Sequence, residues 1–273
     1  MPSPESKIEQ NRRLIGMSNT FPPHGEALGH VRHILEPEVY GKTIVVIPYA
    51  LHPDQAMAEL EAPFKKMGAK SVLSPHSYPG SEAQVIRDNA DAVYISGGNT
   101  GRLVANLHSL THADGTRVDR GPSAAREPLV PTLYQLASEG ITIMGSSAGI
   151  NVMCADVRTT NDMQSAVQIL EGGQRVLRID GLGLLPTHLS INPHYIDKIE
   201  LNYMGESRRE RLEQILEADP QRIILALREG AFITIRGMEA ALGGDTGGLV
   251  FRANQEPLPL FRGDDLSFLL DIY

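Results

Sequence analysis

Short apolar runs alternate with amphipathic stretches along this chain, which is the pattern of strands and helices that follow one another. The run at residues 42–50 is apolar on both faces, as expected of a parallel strand that is covered on both sides. An amphipathic stretch follows it at 54–67, and the run at 92–95 leads through a glycine turn into a helix-like stretch near Asn99. Strands that alternate with helices predict an α/β fold with one doubly wound, mostly parallel sheet. Ligands of such sheets bind at the carboxyl ends of the strands.

The remaining pattern completes this prediction. Further strands are expected at 14–18, 69–74 and 222–227, and further helices at 26–35, 81–89, 127–138 and 206–217. After residue 231 the pattern favours antiparallel hairpins that close the sheet. Residues 108–126 are polar and rich in turn formers, so we expect a long surface loop there. Residues 1–11 predict a disordered arm, and since no repeat or linker divides the rest, we expect a single domain over residues 12–273.

Composition narrows the class of protein. The 273 residues carry a net charge of −8, and no dense run of Lys or Arg provides the basic face that nucleic-acid binding needs. No stretch of 18 apolar residues predicts a membrane span, and the polar N-terminus does not resemble a signal peptide. The single cysteine, Cys154, excludes an intrachain disulfide and indicates a reducing compartment.

The stretch at 141–154, ITIMGSSAGINVMC, carries the strongest chemical signal. It reads as a strand, a sharp turn and a helix, with Ser147 at the centre of a Gly-x-Ser-x-Gly frame. In a nucleophile elbow of this kind, strained backbone lifts the serine hydroxyl above the end of the sheet. Gly145 and Gly149 are needed because a side chain at either position would collide with the neighbouring backbone. The N–H of Ala148 would then serve as one oxyanion donor. The alternative is an ordinary structural turn.

A serine nucleophile needs a base, and the base needs an orienting acid. Among nine histidines, His194 stands out because Pro193 stiffens its approach and apolar residues flank it. Two acids follow the elbow: Asp162 lies in a polar run, and Glu229 lies just past the strand at 222–227. The carboxyl end of a parallel strand favours Glu229. Each of these side chains could instead have a structural or solvated role.

Two further features bear on the chemistry of the site. The glycine turn SGGN places Gly97 or Gly98 where a backbone N–H can supply the second oxyanion donor, or simply forms a tight turn between strand and helix. His108 and His112 are four residues apart, as metal ligands on a helix are. They fall where the helix gives way to the loop and no third ligand is evident, so we expect no metal and no cofactor.

Several motifs occur together in the order and spacing of the peptidase E family, which the chain resembles over about 140 residues. They are SGGNT at 96–100, GSSAGINVMC at 145–154, RTTNDM at 158–163, INPHY at 191–195, GESRRERL at 205–212 and REG at 228–230. Members of this family are α-aspartyl dipeptidases, serine peptidases related in fold to class I glutamine amidotransferases and to cyanophycinase. The resemblance implies a cytoplasmic exopeptidase that removes an N-terminal aspartate from dipeptides, through an acyl-enzyme and without a metal.

The resemblance also assigns roles to single residues. It implies that Ser147 is the nucleophile, that His194 is the general base and that the triad acid is Glu229, although Asp162 has also been treated as the acidic member. It places Arg208 where the substrate's β-carboxylate is bound, since a guanidinium fork reads a carboxylate through two parallel bonds. Within the SGGNT turn it places Asn99 as a substrate-binding residue and Gly98 in the oxyanion hole.

The chain departs from the family in three respects. Ser146 stands where an aromatic residue commonly precedes the nucleophile, the loop at 108–126 is longer than expected, and both ends carry extra residues. The loop could border the pocket or a contact between subunits, so the sequence is compatible with a homodimer. Three alternatives remain: a hydrolase of β-aspartyl or cyanophycin-type dipeptides, an α/β-hydrolase esterase, and a silent binding protein on the same scaffold.

Overall fold

The computed structural model describes residues 4–22, 25–111, 116–118, 124–162, 167–171, 174–197 and 207–271. Its α-helices are α1 (Pro4–Asn11), α2 (Arg32–Val39), α3 (Pro53–Lys66), α4 (Glu82–Asn89), α5 (Thr100–Leu107), α6 (Val130–Ser138), α7 (Ala148–Asn151) and α8 (Arg208–Ala218). Its strands are β1 (Arg13–Met17), β2 (Thr43–Ile47), β3 (Ser71–Leu73), β4 (Ala92–Ile95), β5 (Thr142–Ser146), β6 (Val167–Glu171), β7 (Gln174–Arg178), β8 (Leu189–Tyr195), β9 (Ile223–Arg228), β10 (Phe232–Arg236), β11 (Glu239–Gly243), β12 (Gly248–Phe251) and β13 (Leu258–Leu260).

The larger sheet has seven strands in the order β11-β10-β1-β5-β4-β2-β3. The five strands from β1 to β3 in that order are parallel, and β10 and β11 extend the sheet as an antiparallel edge. The predicted α/β class with a mostly parallel sheet is therefore confirmed. The parallel strands all end at the same edge, so the segments after β1, β4 and β5 meet there.

Helices cover both faces of this sheet because its central strands are apolar at successive positions. In β2, Val45 and Ile47 face one hydrophobic core, whereas Ile44 and Val46 face another. This alternation follows from the two-residue period of a strand. The first core also contains apolar residues of α4, α5 and α6, and the second those of α2 and α3. The sheet is thus doubly wound, as predicted.

A second, smaller sheet was not predicted from the sequence. Its order is β13-β12-β9-β8, in which β8 and β9 are parallel and β12 and β13 are antiparallel. The prediction of one sheet closed by C-terminal hairpins is therefore wrong in part. The β10–β11 hairpin joins the large sheet, but the strand predicted at 222–227 is β9, which pairs with β8 on one side and with β12 on the other. Strand pairing between distant segments leaves no local trace in the sequence.

The structure also differs from the prediction at the N-terminus, where residues 4–11 form a helix and not a disordered arm. Ile8 is buried in the larger core, and the side chain of Asn11 donates a hydrogen bond to the carbonyl oxygen of Ser138 at the end of α6. One buried isoleucine is too weak a pattern to predict a helix from the sequence. Of the helices that the structure describes, none is long and apolar enough to cross a membrane.

The predicted loop at 108–126 is described only in part. Thr111 pairs with Arg117 in an isolated antiparallel bridge, and Ala125 is fully buried. The N–H of Arg126 donates to the buried carboxylate of Glu82 at 2.8 Å. The ends of this segment are therefore packed against the domain. Its remaining residues lie outside the described part of the chain.

Candidate active site

The turn between β5 and α7 has the conformation of a nucleophile elbow. Ser147 has φ 53° and ψ −114°, a backbone conformation that residues with a side chain rarely adopt. Its N–H donates to the carbonyl oxygen of Met17 at 3.0 Å. A Cβ at Gly149 would lie 2.3 Å from the carbonyl oxygen of Ile95, and one at Gly145 would lie 2.8 Å from the backbone of Gly149. The two glycines therefore permit the close approach that holds Ser147 at the sheet edge. The helix α7 spans only four residues, which is shorter than expected.

The structure brings Ser147, His194 and Glu229 into one chain of hydrogen bonds. His194 Nδ1 lies 3.1 Å from Glu229 Oε1, and His194 Nε2 lies 2.8 Å from Ser147 Oγ. Because a carboxylate only accepts hydrogen bonds, Nδ1 carries the ring proton and Nε2 is left to accept from the serine hydroxyl. This is the relative orientation that a Ser-His-acid triad requires.

Two parallel strands place the histidine and the glutamate side by side. His194 lies near the carboxyl end of β8, and Glu229 directly follows β9, with Tyr195 paired to Arg228. The register shifts between Asn192 and Tyr195, and His194 itself has φ 55°. This bulge turns the His194 ring out of the strand toward Ser147. Bulges of this kind commonly redirect a side chain at a functional site.

The second acid that the sequence offered lies elsewhere. Asp162 Oδ2 accepts hydrogen bonds from the backbone N–H and the hydroxyl of Thr100, at 3.1 Å and 3.2 Å. Both ring nitrogens of His194 are occupied by Ser147 and Glu229. Asp162 therefore contacts the start of α5, just after the SGGN turn, and is not the hydrogen-bond partner of His194.

The two predicted oxyanion donors flank the serine. Ala148 is the first residue of α7, so its N–H has no acceptor within the helix. A Cβ at Gly97 would lie 3.2 Å from Ser147 Cβ, which shows how closely the glycine turn packs on the elbow. Gly98 has φ 134°, and a Cβ there would lie 2.6 Å from the carbonyl oxygen of Ala50. Only glycine fits this conformation and this approach.

The predicted substrate-binding residues occupy helix starts. Asn99 is the N-cap of α5, and its side-chain oxygen accepts from the N–H of Arg102 at 2.8 Å. Arg208 is the first residue of α8, directly after the capping residue Ser207. The roles of Asn99 and Arg208 in substrate binding remain predictions. Of the histidine pair, His108 contacts the carbonyl oxygen of Asp180 at 3.0 Å, and His112 lies outside the described residues.

A cavity of about 200 Å³ opens beside the serine and the histidine. Its lining includes apolar side chains, the glycine turn and one carboxylate, from Phe21, Leu51, Leu60, Gly97, Gly98 and Glu59. Arg208 is not among the described residues that line it. The site thus combines a positioned hydroxyl, a base, an acid and an adjoining pocket, the parts that acyl transfer needs.

Comparison with known proteins agrees with this geometry. The family model described as "Peptidase family S51" matches residues 14–117 and 123–243. The chain belongs to peptidase family S51. It is 33% identical to the peptidase E of Streptomyces coelicolor over 265 residues, which are 95% of either chain. It is 30% identical to the peptidase E of an Escherichia coli O6 strain over 254 residues, which cover 92% of this chain and 98% of the relative.

Solved structures support the same fold for this S51 peptidase. The crystal structure of a peptidase from an acI-B1 actinobacterium matches with a TM-score of 0.58 at 18% identity, covering 95% of this chain and 99% of that one. The structure of a putative peptidase E protein from Listeria monocytogenes matches with a TM-score of 0.54 at 18% identity, covering 85% of this chain and 98% of that one. The resemblance seen in the motifs is therefore confirmed at the level of the family and of its hydrolase class.

Sequence reasoning missed the segment after β1 of this S51 peptidase. Met17 accepts from the N–H of Ser147, and Thr20 lies 2.5 Å from the hydroxyl of Ser146, which also contacts the hydroxyl of Tyr94 at 2.8 Å. Ser146 is thus buried in a hydroxyl cluster beneath the elbow. The available signal was the polar run that directly follows a predicted parallel strand, because such strand ends meet at one edge.

Proposed function

We propose that this S51 peptidase is a serine exopeptidase that hydrolyses dipeptides with an N-terminal aspartate, through an acyl-enzyme on Ser147. The observation that carries the proposal is the hydrogen-bond chain from Ser147 Oγ through His194 to Glu229, with distances of 2.8 Å and 3.1 Å. The preference for aspartate rests on the family resemblance and on relatives named peptidase E.

In the acylation step, Ser147 Oγ attacks the carbonyl carbon of the scissile bond as its proton passes to His194 Nε2. Glu229 accepts the hydrogen bond of Nδ1–H and stabilises the imidazolium that forms. The N–H groups of Ala148 and Gly98 would hold the oxyanion of the tetrahedral intermediate. His194 then protonates the leaving amine, and in deacylation it activates the water that releases aspartate.

The pocket supports a substrate with a free N-terminus. Glu59 lines the cavity beside Ser147, and its carboxylate is complementary to the ammonium group of a small peptide. A cavity of about 200 Å³ leaves little room for a longer chain on the amino-terminal side of the scissile bond. Exopeptidase action follows if the ammonium group occupies this cavity.

We assign recognition of the aspartate side chain to Arg208 on the family resemblance alone. Two charge-assisted hydrogen bonds from its guanidinium group to the β-carboxylate would contribute about 3 kcal/mol, or about 100-fold in kcat/KM. We expect Arg208→Ala to lower kcat/KM for Asp-Leu by about that factor and to change hydrolysis of Ala-Leu little.

The matched control is Arg209→Ala, because Arg209 on the same helix pairs with Glu213 and Glu256 at the surface. We expect it to leave both substrates unaffected. An equal loss on Asp-Leu and Ala-Leu in the Arg208 variant would refute the assignment of Arg208. Cleavage of β-Asp-Leu but not of Asp-Leu by the native protein would refute the proposed substrate class.

A further inference from the structure

The segment Met17–Thr20, at the end of β1, bonds to the backbone of Ser147, of His194 and of Gly230, which follows Glu229. The carbonyl oxygen of Met17 accepts from the N–H of Ser147 at 3.0 Å. Ser18 Oγ accepts from the N–H of His194 at 2.8 Å, and Asn19 Oδ1 accepts from the N–H of Gly230, the residue after Glu229, at 2.7 Å. Three consecutive residues therefore hold three backbone positions that come from both sheets.

The Ser18 hydroxyl both donates and accepts a hydrogen bond. It donates to the carbonyl oxygen of Leu227 in β9 at 3.1 Å while it accepts from the N–H of His194 in β8. The backbone N–H of Ser18 donates to the carbonyl oxygen of Ala231 at 2.9 Å. The side chain is fully buried, so water cannot replace these bonds. One hydroxyl thus ties the end of β1 to the two strands that carry His194 and Glu229.

Asn19 has the same bridging role one residue later. Its side chain is 3% exposed, its oxygen accepts from Gly230, and its nitrogen donates to the carbonyl oxygen of Phe21 at 2.5 Å. Gly230 has φ 87°, so the turn that carries Glu229 depends on a conformation that few residues adopt. Asn19 fixes that turn to the edge of the large sheet.

We propose that Ser18 and Asn19 are positioning residues of this hydrolase, which hold the backbones of His194 and of the Glu229 turn at the distances that the triad requires. The inference rests on the proposed serine chemistry and adds two residues to it. Ser18 stabilises His194 at φ 55°, a backbone conformation that residues with a side chain rarely adopt.

Ser18 affects the site geometry through the hydrogen bond that it accepts from the His194 N–H. Without the Ser18 hydroxyl, this partly buried donor loses its acceptor, and β8 can relieve the strain by relaxing the bulge at His194. Relaxation would move Nε2 away from Ser147 Oγ, and a misplacement of about 1 Å costs about 100-fold in rate. Substrate affinity would change little, because neither Ser18 nor Asn19 lines the cavity among the described residues.

The test measures the rate at which a fluorophosphonate modifies Ser147 in the full-length protein. In this reaction Ser147 Oγ bonds to phosphorus, fluoride leaves, and the hydroxyl proton passes to His194. The reaction depends on the Ser147–His194 geometry and not on the natural peptide. A wrong substrate class therefore leaves it intact, whereas absence of modification in the native protein would refute the serine chemistry itself.

We expect Ser18→Ala to slow modification about 100-fold, to lower kcat with little change in KM, and to weaken the downfield proton resonance of the His194–Glu229 bond. The matched control is Ser190→Ala, since Ser190 is equally buried in β8 but bonds to Arg222 at 2.5 Å. It should lower stability and keep the modification rate. Ser18→Thr keeps the hydroxyl, so it should stay within about tenfold of the native rate despite its extra methyl.

A native rate of fluorophosphonate modification in Ser18→Ala would overturn the proposal. An equal loss of that rate in Ser18→Ala and Ser190→Ala would overturn it too. If Ser18→Ala fails to fold, Asn19→Ala provides the test instead, because it removes the acceptor of the Gly230 N–H and leaves Ser18 in place. We expect Asn19→Ala to slow modification at least tenfold and to weaken the same proton resonance. A native rate together with a native resonance in that variant would contradict the proposal.

Discussion

Replacing Glu229 by Gln tests which acid supports His194. The substitution keeps the size of the side chain and removes its charge, so it separates electrostatic support from packing. In the native protein Glu229 Oε1 accepts from His194 Nδ1 at 3.1 Å. A glutamine amide can either accept from or donate to Nδ1, so the ring is no longer held in the tautomer that leaves Nε2 free to accept from Ser147.

The solvent exposure of Glu229 and His194 determines how far kcat should fall in Glu229→Gln. The side chain of Glu229 is 55% exposed and that of His194 is 30% exposed. An ion pair at about 4 Å is worth about 1 kcal/mol in water and about 4 kcal/mol at an effective dielectric constant of about 20. The loss in kcat should therefore lie between about 5-fold and about 10³-fold, below the roughly 10⁴-fold effect of a fully buried triad acid.

Hydrolysis of Asp-Leu is the assay, and Asp162→Asn is the matched control. Asp162 accepts two hydrogen bonds from Thr100 and none from His194. Its amide variant should lower the midpoint of denaturant unfolding and reduce kcat less than tenfold. Glu229→Gln should leave the midpoint unchanged. If Asp162→Asn were instead the more damaging variant at unchanged stability, the assignment of Glu229 would be wrong.

Two further substitutions test the fold beneath the site. Gly149→Ala places a Cβ 2.3 Å from the carbonyl oxygen of Ile95, so we expect a loss of about 2 kcal/mol in unfolding free energy and about 100-fold in kcat. Gly29→Ala, which meets no atom within 4 Å, should change neither quantity. Burial alone would raise the pKa of Glu38, but its bonds to Thr142, Arg13, Lys42 and Arg236 outweigh burial and lower it. That stabilisation is present above the ordinary pKa of glutamate and is lost as the pH falls through the lowered value. Glu38→Gln should therefore cost about 1–2 kcal/mol at pH 7 and progressively less in acid, as measured by urea unfolding across pH. A pH-independent cost, or a native-like Gly149→Ala, would contradict these expectations.

The sequence predicted the parts of the fold that local pattern determines. Runs that are apolar on both faces, such as the one at 42–50, become inner strands because both faces are covered. The Gly-x-Ser-x-Gly frame predicts the elbow because only glycine fits at Gly145 and Gly149. The expectation that the carboxyl ends of strands bear the chemistry favoured Glu229, which directly follows β9 and bonds to His194.

Non-local pairing limits what the sequence can predict. The choice between Glu229 and Asp162 depends on β8 lying parallel to β9. The sequence next to either acid contains no signal for that pairing. The same holds for Ser18, whose hydroxyl reaches His194 across 176 positions of sequence. The helix at 4–11 could not be predicted because, among its described side chains at 7–11, only Ile8 is buried.

The central claim is serine-dependent cleavage of an N-terminal aspartyl bond. Its most direct test is hydrolysis of Asp-Leu beside Ala-Leu, Glu-Leu and β-Asp-Leu, with a metal chelator present and the Ser147→Ala protein as control. The account predicts rapid cleavage of Asp-Leu alone and a loss of several orders of magnitude in the Ser147 variant. Undiminished cleavage by Ser147→Ala, or cleavage of β-Asp-Leu alone by the native protein, would contradict it.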